Sequence, residues 1–480
     1  MSLGKRYVLA IMVVFSGCNM HFTRSNINIA IVGMVNRTYQ ESLSSTGNST
    51  TESVCGGEHV GSSNNNDGPF MYSNTQQTLL LSSYYYGYCL FSIAGGYVVH
   101  KYGIRRTVSS GLLIAGLLTL TIPSILKTDE GRSGDFYGLY ICIFLRALIG
   151  VTHVVIGPAA AGSWTKWGPE SELSFLTSLT FCPNVLGTSI LNTFGGWLGS
   201  IFGWESIFYV TSLSNITVGL IWYFIIAESP ESHPSISEKE KSYIIKSRRE
   251  QKTKSDQKIP VFDIFTSPAI FGIIIANLTS NWGTLTLAIL FPKYLADVQG
   301  YDIASVGWMS GITSCLNLVA CLFAGKICDI IHQKWKVSRL NLIRGCVIIA
   351  GVPSAMFAFS MSLVGCNILL ILCLVCLQNF CMGFDSAGSK PNAAFIAPAF
   401  AGFIMSIQNC MACTPGFISP VIAGGILDGE GDIESKWRTI FQLEAVVLFL
   451  GAVAFCFLGS ASIQPWAEQN NEKKLIPSSE

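Results

Sequence analysis

Long apolar stretches alternate with short polar ones along the whole chain. A helix needs about 20 apolar residues to cross the hydrocarbon core of a bilayer. Twelve stretches meet that length, at about 8–34, 76–99, 107–127, 136–163, 172–201, 204–227, 265–297, 301–330, 340–363, 367–391, 399–427 and 437–460. The alternating strands of roughly ten residues that build an outer-membrane barrel are absent. The predicted fold class is an all-α polytopic membrane protein with twelve transmembrane helices. Composition agrees: 50% of residues are hydrophobic and 12% charged, against about 25% charged in a soluble domain. The first span follows Lys5 and Arg6, as a signal peptide would. It is too long for one, contains Arg24 and lacks a small-residue cleavage site, so it reads as a retained helix.

Charge then orients the spans. With the N-terminus inside, the cytosolic segments hold Lys5, Arg6, Lys101, Arg105, Arg106, Lys166, the run from Lys239 to Lys258, the run from Lys326 to Arg344, Lys390, Lys473 and Lys474. These are most of the 30 basic residues, a strong positive-inside bias. Four segments follow. Residues 1–227 form an N-terminal six-helix bundle with an outer loop over 35–75, residues 228–262 a cytosolic linker, residues 263–462 a C-terminal six-helix bundle, and residues 463–480 a cytosolic tail. The outer loop offers glycosylation sequons at Asn36 and Asn48. Those at Asn215 and Asn277 lie within spans. Net charge is +1, which gives nucleic-acid binding no electrostatic basis; the expected surroundings are the lipid bilayer.

The fourth span carries candidate chemistry. Arg146, Gly150, His153, Gly157 and Trp164 fall on one side of it at helical spacing. A charge facing lipid at mid-membrane costs about 2.5 kcal/mol or more, so Arg146 is expected to face a cavity or a partner. Arg24 and Arg146 each lie about ten residues from the outer end of their helices, roughly 15 Å deep. Two guanidinium forks at one depth suit a carboxylate or phosphate. Each arginine pairing instead with a helix carbonyl or a structural acid stays open. Histidine, with an unperturbed pKa of about 6.5, is the natural proton-coupling group. The candidates are His153, two turns below Arg146, and His21, on the face of Arg24. Asp385 with Lys390 reads as a structural pair, and Glu444 as structural. The C-x-x-C pairs Cys373/Cys376 and Cys410/Cys413 sit in apolar spans, where buried thiols are packing residues. A Cys55–Cys366 disulfide would join two loops. With no nucleophile, metal cluster or phosphate loop, an enzyme is not expected, nor any metal or cofactor beyond a coupling ion.

Corresponding strings occur in the two halves. Gly96-Tyr-Val-Val-His-Lys-Tyr-Gly-Ile-Arg-Arg106 follows the second span, and Gly325-Lys-Ile-Cys-Asp-Ile-Ile the eighth. A glycine and a basic turn repeated in two six-helix halves resemble the major facilitator architecture, in which the halves rock around a midplane site. Longer strings are more specific: Arg24-Ser-Asn-Ile-Asn-Ile-Ala-Ile-Val-Gly-Met-Val, Trp164-Thr-Lys-Trp-Gly-Pro169, Gly203-Trp-Glu-Ser-Ile-Phe-Tyr209, Glu228-Ser-Pro-Glu-Ser-His-Pro-Ser-Ile-Ser-Glu-Lys-Glu240, Pro415-Gly-Phe-Ile-Ser-Pro420 and Trp437-Arg-Thr-Ile-Phe441. They resemble the anion:cation symporter family of sialin, the vesicular glutamate transporters and the type I sodium/phosphate cotransporters.

The resemblance implies a secondary active transporter of small organic anions or inorganic phosphate, coupled to protons or sodium and working as a monomer, with Arg24 and Arg146 matching the family's arginines. It also exposes departures. The carboxylates that follow the helix-4 arginine in proton-coupled members are Ile149 and His153 here. A helix-4 histidine falls at Ala160, the helix-7 arginine of the glutamate carriers at Ser280, and a helix-10 aspartate at Phe395. Vesicular glutamate transport is disfavoured on that ground, and a transporter-like sensor or scaffold without turnover is the rival reading. The plasma membrane is expected over a lysosomal or vesicular one, because the short segment before the first span offers no sorting signal and Leu475-Ile476 lacks the acid expected ahead of a dileucine address.

Overall fold

The computed structural model describes residues 4–36, 68–131, 136–169, 172, 176, 179, 180, 182–247, 260–397 and 400–467. These residues form helices, joined among the described residues by one isolated bridge, Val35 to Phe70. Numbering the helices of ten residues or more, the first half holds α1 (Lys5–Met34), α2 (Asn74–Tyr102), α3 (Ile104–Leu126), α4 (Tyr137–His153), α5 (Ile156–Trp167), α6 (Pro183–Phe202) and α7 (Glu205–Ile225). A linker helix, α8 (Glu238–Ser247), follows. The second half holds α9 (Pro268–Asp297), α10 (Ile303–Trp335), α11 (Arg339–Met361), α12 (Ile368–Gly383), α13 (Ala401–Cys413), α14 (Pro415–Leu427) and α15 (Ile433–Leu458).

Among the described residues, nine helical spans are long and apolar enough to cross a membrane. α1 and α2 fall outside that set for a physical reason. α1 buries Ser16, Asn19, His21, Thr23, Ser25, Asn26 and Asn28, and α2 buries Gln77, Thr78, Ser82 and Ser83. Their polar side chains are turned inward. The outer surface is apolar instead, with Leu90, Phe224 and Phe457 exposed by 77%, 76% and 82%. That inversion is what a hydrocarbon solvent selects.

Two predicted spans are interrupted. The fourth breaks at Val154 and Val155, between α4 and α5. Pro158 has no N–H to give the carbonyl of Val154, so a continuous helix would lack a bond there. The eleventh breaks at Thr414, immediately before Pro415, the first residue of α14.

The first four helices begin in the same way, each with a carboxylate from elsewhere in the chain on its leading amides. Glu240 accepts from Lys5 and Arg6 at 2.9 and 3.1 Å. Asp428 accepts from Asn74 and Thr75 at 3.1 and 2.8 Å. Glu228 accepts from Ile104 and Arg105 at 3.0 and 2.8 Å. Asp129 accepts from Gly138 and Leu139 at 2.9 and 2.7 Å. A helix start leaves its first amides unpartnered and carries partial positive charge, so an acid there satisfies both. α2 and α4 approach closely because Gly87 and Gly150 carry no side chain; a Cβ on either would overlap a main-chain oxygen of the facing helix.

The chain forms two compact units, residues 1–251 with 288–315 and 420–436, and residues 252–287 with 316–419 and 437–480. In the first, Asn28 donates to the carbonyl of Ala288 and Lys293 to Gln77, tying the later segment to α1 and α2. The second has its main apolar core around Ile270, Ile273, Val347, Ile396, Ile404 and Phe455. Asp385 and Lys390 pair there at 3.8 Å. Cys366 is disulfide-bonded, whereas Cys373, Cys376, Cys410 and Cys413 remain thiols. Cys55 lies outside the described residues.

Candidate substrate site

In the first unit the polar faces of α1, α2 and α4 enclose the two arginines. Arg146 is 1% exposed. Its Nε donates to Ser83 Oγ at 3.0 Å, one terminal nitrogen to Asn26 Oδ1 at 3.0 Å, and the other to the carbonyl of Arg24 at 3.1 Å. Three of the five N–H donors of a guanidinium are thereby used. The cost of burying the charge is met by neutral dipoles on two other helices, and one of those dipoles belongs to the residue that carries the second charge.

Arg24 is half-buried. A terminal nitrogen donates to Asn184 Oδ1 on α6 at 3.4 Å, and the guanidinium lies 5.7 Å from the ring centre of Tyr85. Asn26, two residues on, donates in turn to Thr211 on α7 at 3.3 Å, and Asn215 donates to Thr23 at 2.7 Å. The segment Thr23–Asn26 is therefore held from α4 and α7 together. The structure brings Arg24 and Arg146 to one level but does not make them equivalent. Arg146 is sealed among protein acceptors in this conformation, with no face left for a substrate, and Arg24 keeps an accessible edge.

His153, the last residue of α4, is fully buried. Its Nδ1 is 3.2 Å from the Tyr84 hydroxyl, and its Nε2 meets no hydrogen-bond partner among the described residues. His21 is also buried, its Nδ1 likewise without a partner among the described residues, and it lies within electrostatic reach of Arg24 and His153. Asn36 follows the C-terminal end of α1, its amide bonded to the carbonyl of Phe70; Asn48 lies outside the described residues. Asn215 and Asn277 are buried in helices.

Several residues of the site were not read from the sequence. Asn26 and Ser83 are the partners of Arg146, and Asn184 that of Arg24. Only proximity to Arg24 in the chain pointed to Asn26. Lys293, which bonds to none of these partners, was not read from the sequence either: it is 2% exposed, 2.6 Å from Gln77 Oε1 and 2.7 Å from Asp297. A lysine at the end of an apolar span invites a reading as an interfacial anchor, which its burial excludes.

The sequence pattern of the Major Facilitator Superfamily matches residues 13–420. The chain belongs to that superfamily. Within it, the relatives are those of the anion:cation symporter family. The chain is 30% identical to an uncharacterized transporter, slc-17.2, of Caenorhabditis elegans, over 98% of this chain and 94% of that one. It is 29% identical to human sialin, over 96% and 90%, and 28% identical to human vesicular glutamate transporter 2, over 98% and 77%. Among solved structures, a bacterial homologue of the lysosomal transporter Spinster superposes with a TM-score of 0.64 at 13% identity, over 95% of this chain and 97% of that one. The xylose transporter XylE of E. coli superposes with a TM-score of 0.63 at 13% identity, over 92% and 95%. This superfamily member is thus an integral multi-pass membrane transporter and not an enzyme, with the helical fold of its superfamily.

Proposed function

We propose that this transporter carries small organic anions by alternating access, as a monomer driven by a proton or sodium gradient, and that the carboxylate of the substrate is held at Arg24. The observation that carries the reading is the division of labour between the two arginines. A sealed Arg146 fixes the main chain at Arg24, and Arg24 presents a half-accessible guanidinium about 15 Å into its helix from the nearer end. Arg146 is then a positioning residue for the substrate-binding one. The relatives support an anionic substrate, since one set of them is named for glutamate. Ser280, where the glutamate carriers have an arginine, argues for a different carboxylate.

His153 and His21 are the titratable groups beside the arginines and the candidates for coupling within this unit. For the location, the plasma membrane draws no support from the relatives, several of which are vesicular by name; an organelle membrane is the reading they favour. Asn36 and Asn48 remain the proposed glycosylation sites of the outer loop.

The test is uptake into proteoliposomes of labelled sugar acids, dicarboxylates, glutamate and inorganic phosphate, with pH and sodium gradients varied independently. The account expects saturable uptake of a carboxylate, inhibited by other carboxylates. Phosphate uptake alone would move the substrate to the inorganic class. Anion binding without flux would establish the sensor reading, which the loss of both helix-4 carboxylates, at Ile149 and His153, keeps open.

A further inference from the structure

The second compact unit contains an acid that the arginine site does not use. Glu444 lies on α15, 11 residues from its start, about 16 Å along the helix and so near mid-membrane. It is 0% exposed. One carboxyl oxygen, Oε1, accepts from Gln378 Nε2 on α12 at 2.6 Å. The other, Oε2, has no hydrogen-bond partner among the described residues, and neither does the side-chain oxygen Oε1 of Gln378. The two groups therefore face each other with one bond made and one acceptor left over on each. An ionised carboxylate cannot correct this, because it brings only acceptors. A protonated one can: an O–H on Oε2 is the donor that the amide oxygen lacks.

The surroundings point the same way. The apolar cluster beside Glu444 is Ala355, Ala358, Met382, Ala445 and Leu448, from α11, α12 and α15. α12 carries no charged residue, and its titratable groups are the thiols Cys373, Cys376 and Cys381. The charges of α11, Arg339 and Arg344, fall in its first two turns, some three turns from Ala355. Residues 268–287 of α9 hold no charge. On α15 itself the charges nearest in sequence are Glu434, Lys436 and Arg438, the last of them six residues away. The other two buried acids among the described residues are answered differently: Asp129 by two amides, and Asp385 by Lys390 and the amide of Ser389. Among the described residues, Glu444 alone of these meets neither a cation nor a main-chain amide.

We infer that Glu444 is a neutral carboxylic acid in this conformation, and that Glu444 with Gln378 is a membrane-embedded proton-binding site that supplies the coupling proton. This reverses the structural role expected for Glu444 from its place on a peripheral helix. The coupling part rests on the transport reading above, since helix 4 offers Ile149 and His153 where proton-coupled relatives carry acids. A carboxyl that is dry and neutral in one conformation releases its proton only in another that admits water, which is the requirement for exchanging a proton once per cycle.

The full-length protein in lipid nanodiscs, at neutral pH, tests the proton directly by infrared spectroscopy. The account predicts the carbonyl stretch of a protonated carboxylic acid, lost in Glu444→Gln. Gln378→Met, which removes the hydrogen-bond partner, should move that band to higher frequency and serves if Glu444→Gln does not fold. A carboxylic-acid region unchanged by both substitutions overturns the inference. In proteoliposomes, Glu444→Gln should keep anion exchange while losing at least tenfold of the uptake driven by a proton gradient. A proton response equal to wild type would overturn the coupling role even with the band present. Absence of anion flux in the wild type would instead contradict the transport reading and leave the infrared result standing.

Discussion

Arg146 in the first compact unit and Glu444 in the second both lie dry inside this protein, and their surroundings treat them differently. Arg146 meets Asn26, Ser83 and the carbonyl of Arg24. Glu444 meets one amide N–H and a wall of apolar side chains. A buried charge persists when neutral dipoles replace the water it has lost, and otherwise it changes protonation state. A guanidinium stays protonated in a protein, so the fold has to supply acceptors for it. A carboxyl has the second option. Polar residues around a membrane-embedded ion are informative through their count and direction: each nitrogen of the Arg146 guanidinium meets an acceptor, whereas Glu444 Oε2 meets no donor among the described residues.

The largest effect that could break this comparison is expected at Arg146. Arg146→Ala leaves Asn26 Oδ1 without its donor in a dry interior, at about 1–3 kcal/mol, and removes the guanidinium's bonds to Ser83 Oγ and the carbonyl of Arg24. The expected outcome is loss of most folded protein, read as a collapsed monodisperse peak in detergent. Arg146→Lys keeps the charge but not the planar fork, so it should fold with a lowered melting temperature and lose most transport. A normal melting temperature for Arg146→Ala would show that the three contacts hold nothing together.

An intermediate effect is expected at Asp129, a buried acid whose lost water is replaced. It caps α4 through two amides and accepts from the Tyr72 hydroxyl at 3.4 Å. Losing a cap costs about 0.5–2 kcal/mol. Asp129→Ala should lower the melting temperature by a few degrees without altering the ratio of proton-driven to exchange flux. A change in that ratio would place a second coupling acid in the first unit.

The smallest effect is expected at an ion pair that touches solvent. Arg6, in the first turn of α1, donates to both oxygens of Glu172, which precedes α6, at 2.9 and 3.1 Å. That hydrogen bond holds the Glu172 carboxyl below its usual range. A pKa lower in the folded protein means that the bridge stabilises above the ordinary carboxylate value of about 4.3 and fades as pH falls through the lowered one. Because both partners touch solvent, the contribution is about 0–1 kcal/mol. Glu172→Gln should lower the melting temperature slightly at pH 7, and its curve should meet that of the wild type as the pH falls into the acid range. A shift of equal size at pH 7 and pH 4 would show that the pair acts through packing instead.

What could be read from the sequence was whatever depends on neighbours in the chain. The third span was expected at 107–127 and forms Ile104–Leu126; the ninth was expected at 340–363 and forms Arg339–Met361. A run of apolar residues carries its own reason to be a buried helix. α8 was missed because its residues, Glu-Lys-Glu-Lys-Ser-Tyr, bury little, and what anchors it is a long-range contact between Glu240 and the start of α1. The break after His153 had a signal in Pro158, whose consequence depends on the missing N–H and not on hydropathy. The depth of Arg24 and Arg146 was legible from residue counts. Their different roles were not, because Asn26, Ser83 and Asn184 become partners only when α1, α2, α4 and α6 meet.

The central claim, that Arg24 and not Arg146 takes the substrate, is tested most directly by anion exchange across proteoliposomes containing Arg24→Ala, at matched amounts of folded protein. Arg24 is less buried than Arg146, so its removal should lower the melting temperature far less than Arg146→Ala does. A lost charge-assisted hydrogen bond to the substrate carboxylate is worth about 1.5–3 kcal/mol, which is roughly a tenfold to hundredfold fall in apparent affinity. Arg24→Lys should recover part of it. Exchange with wild-type affinity by a fully folded Arg24→Ala protein would contradict the account.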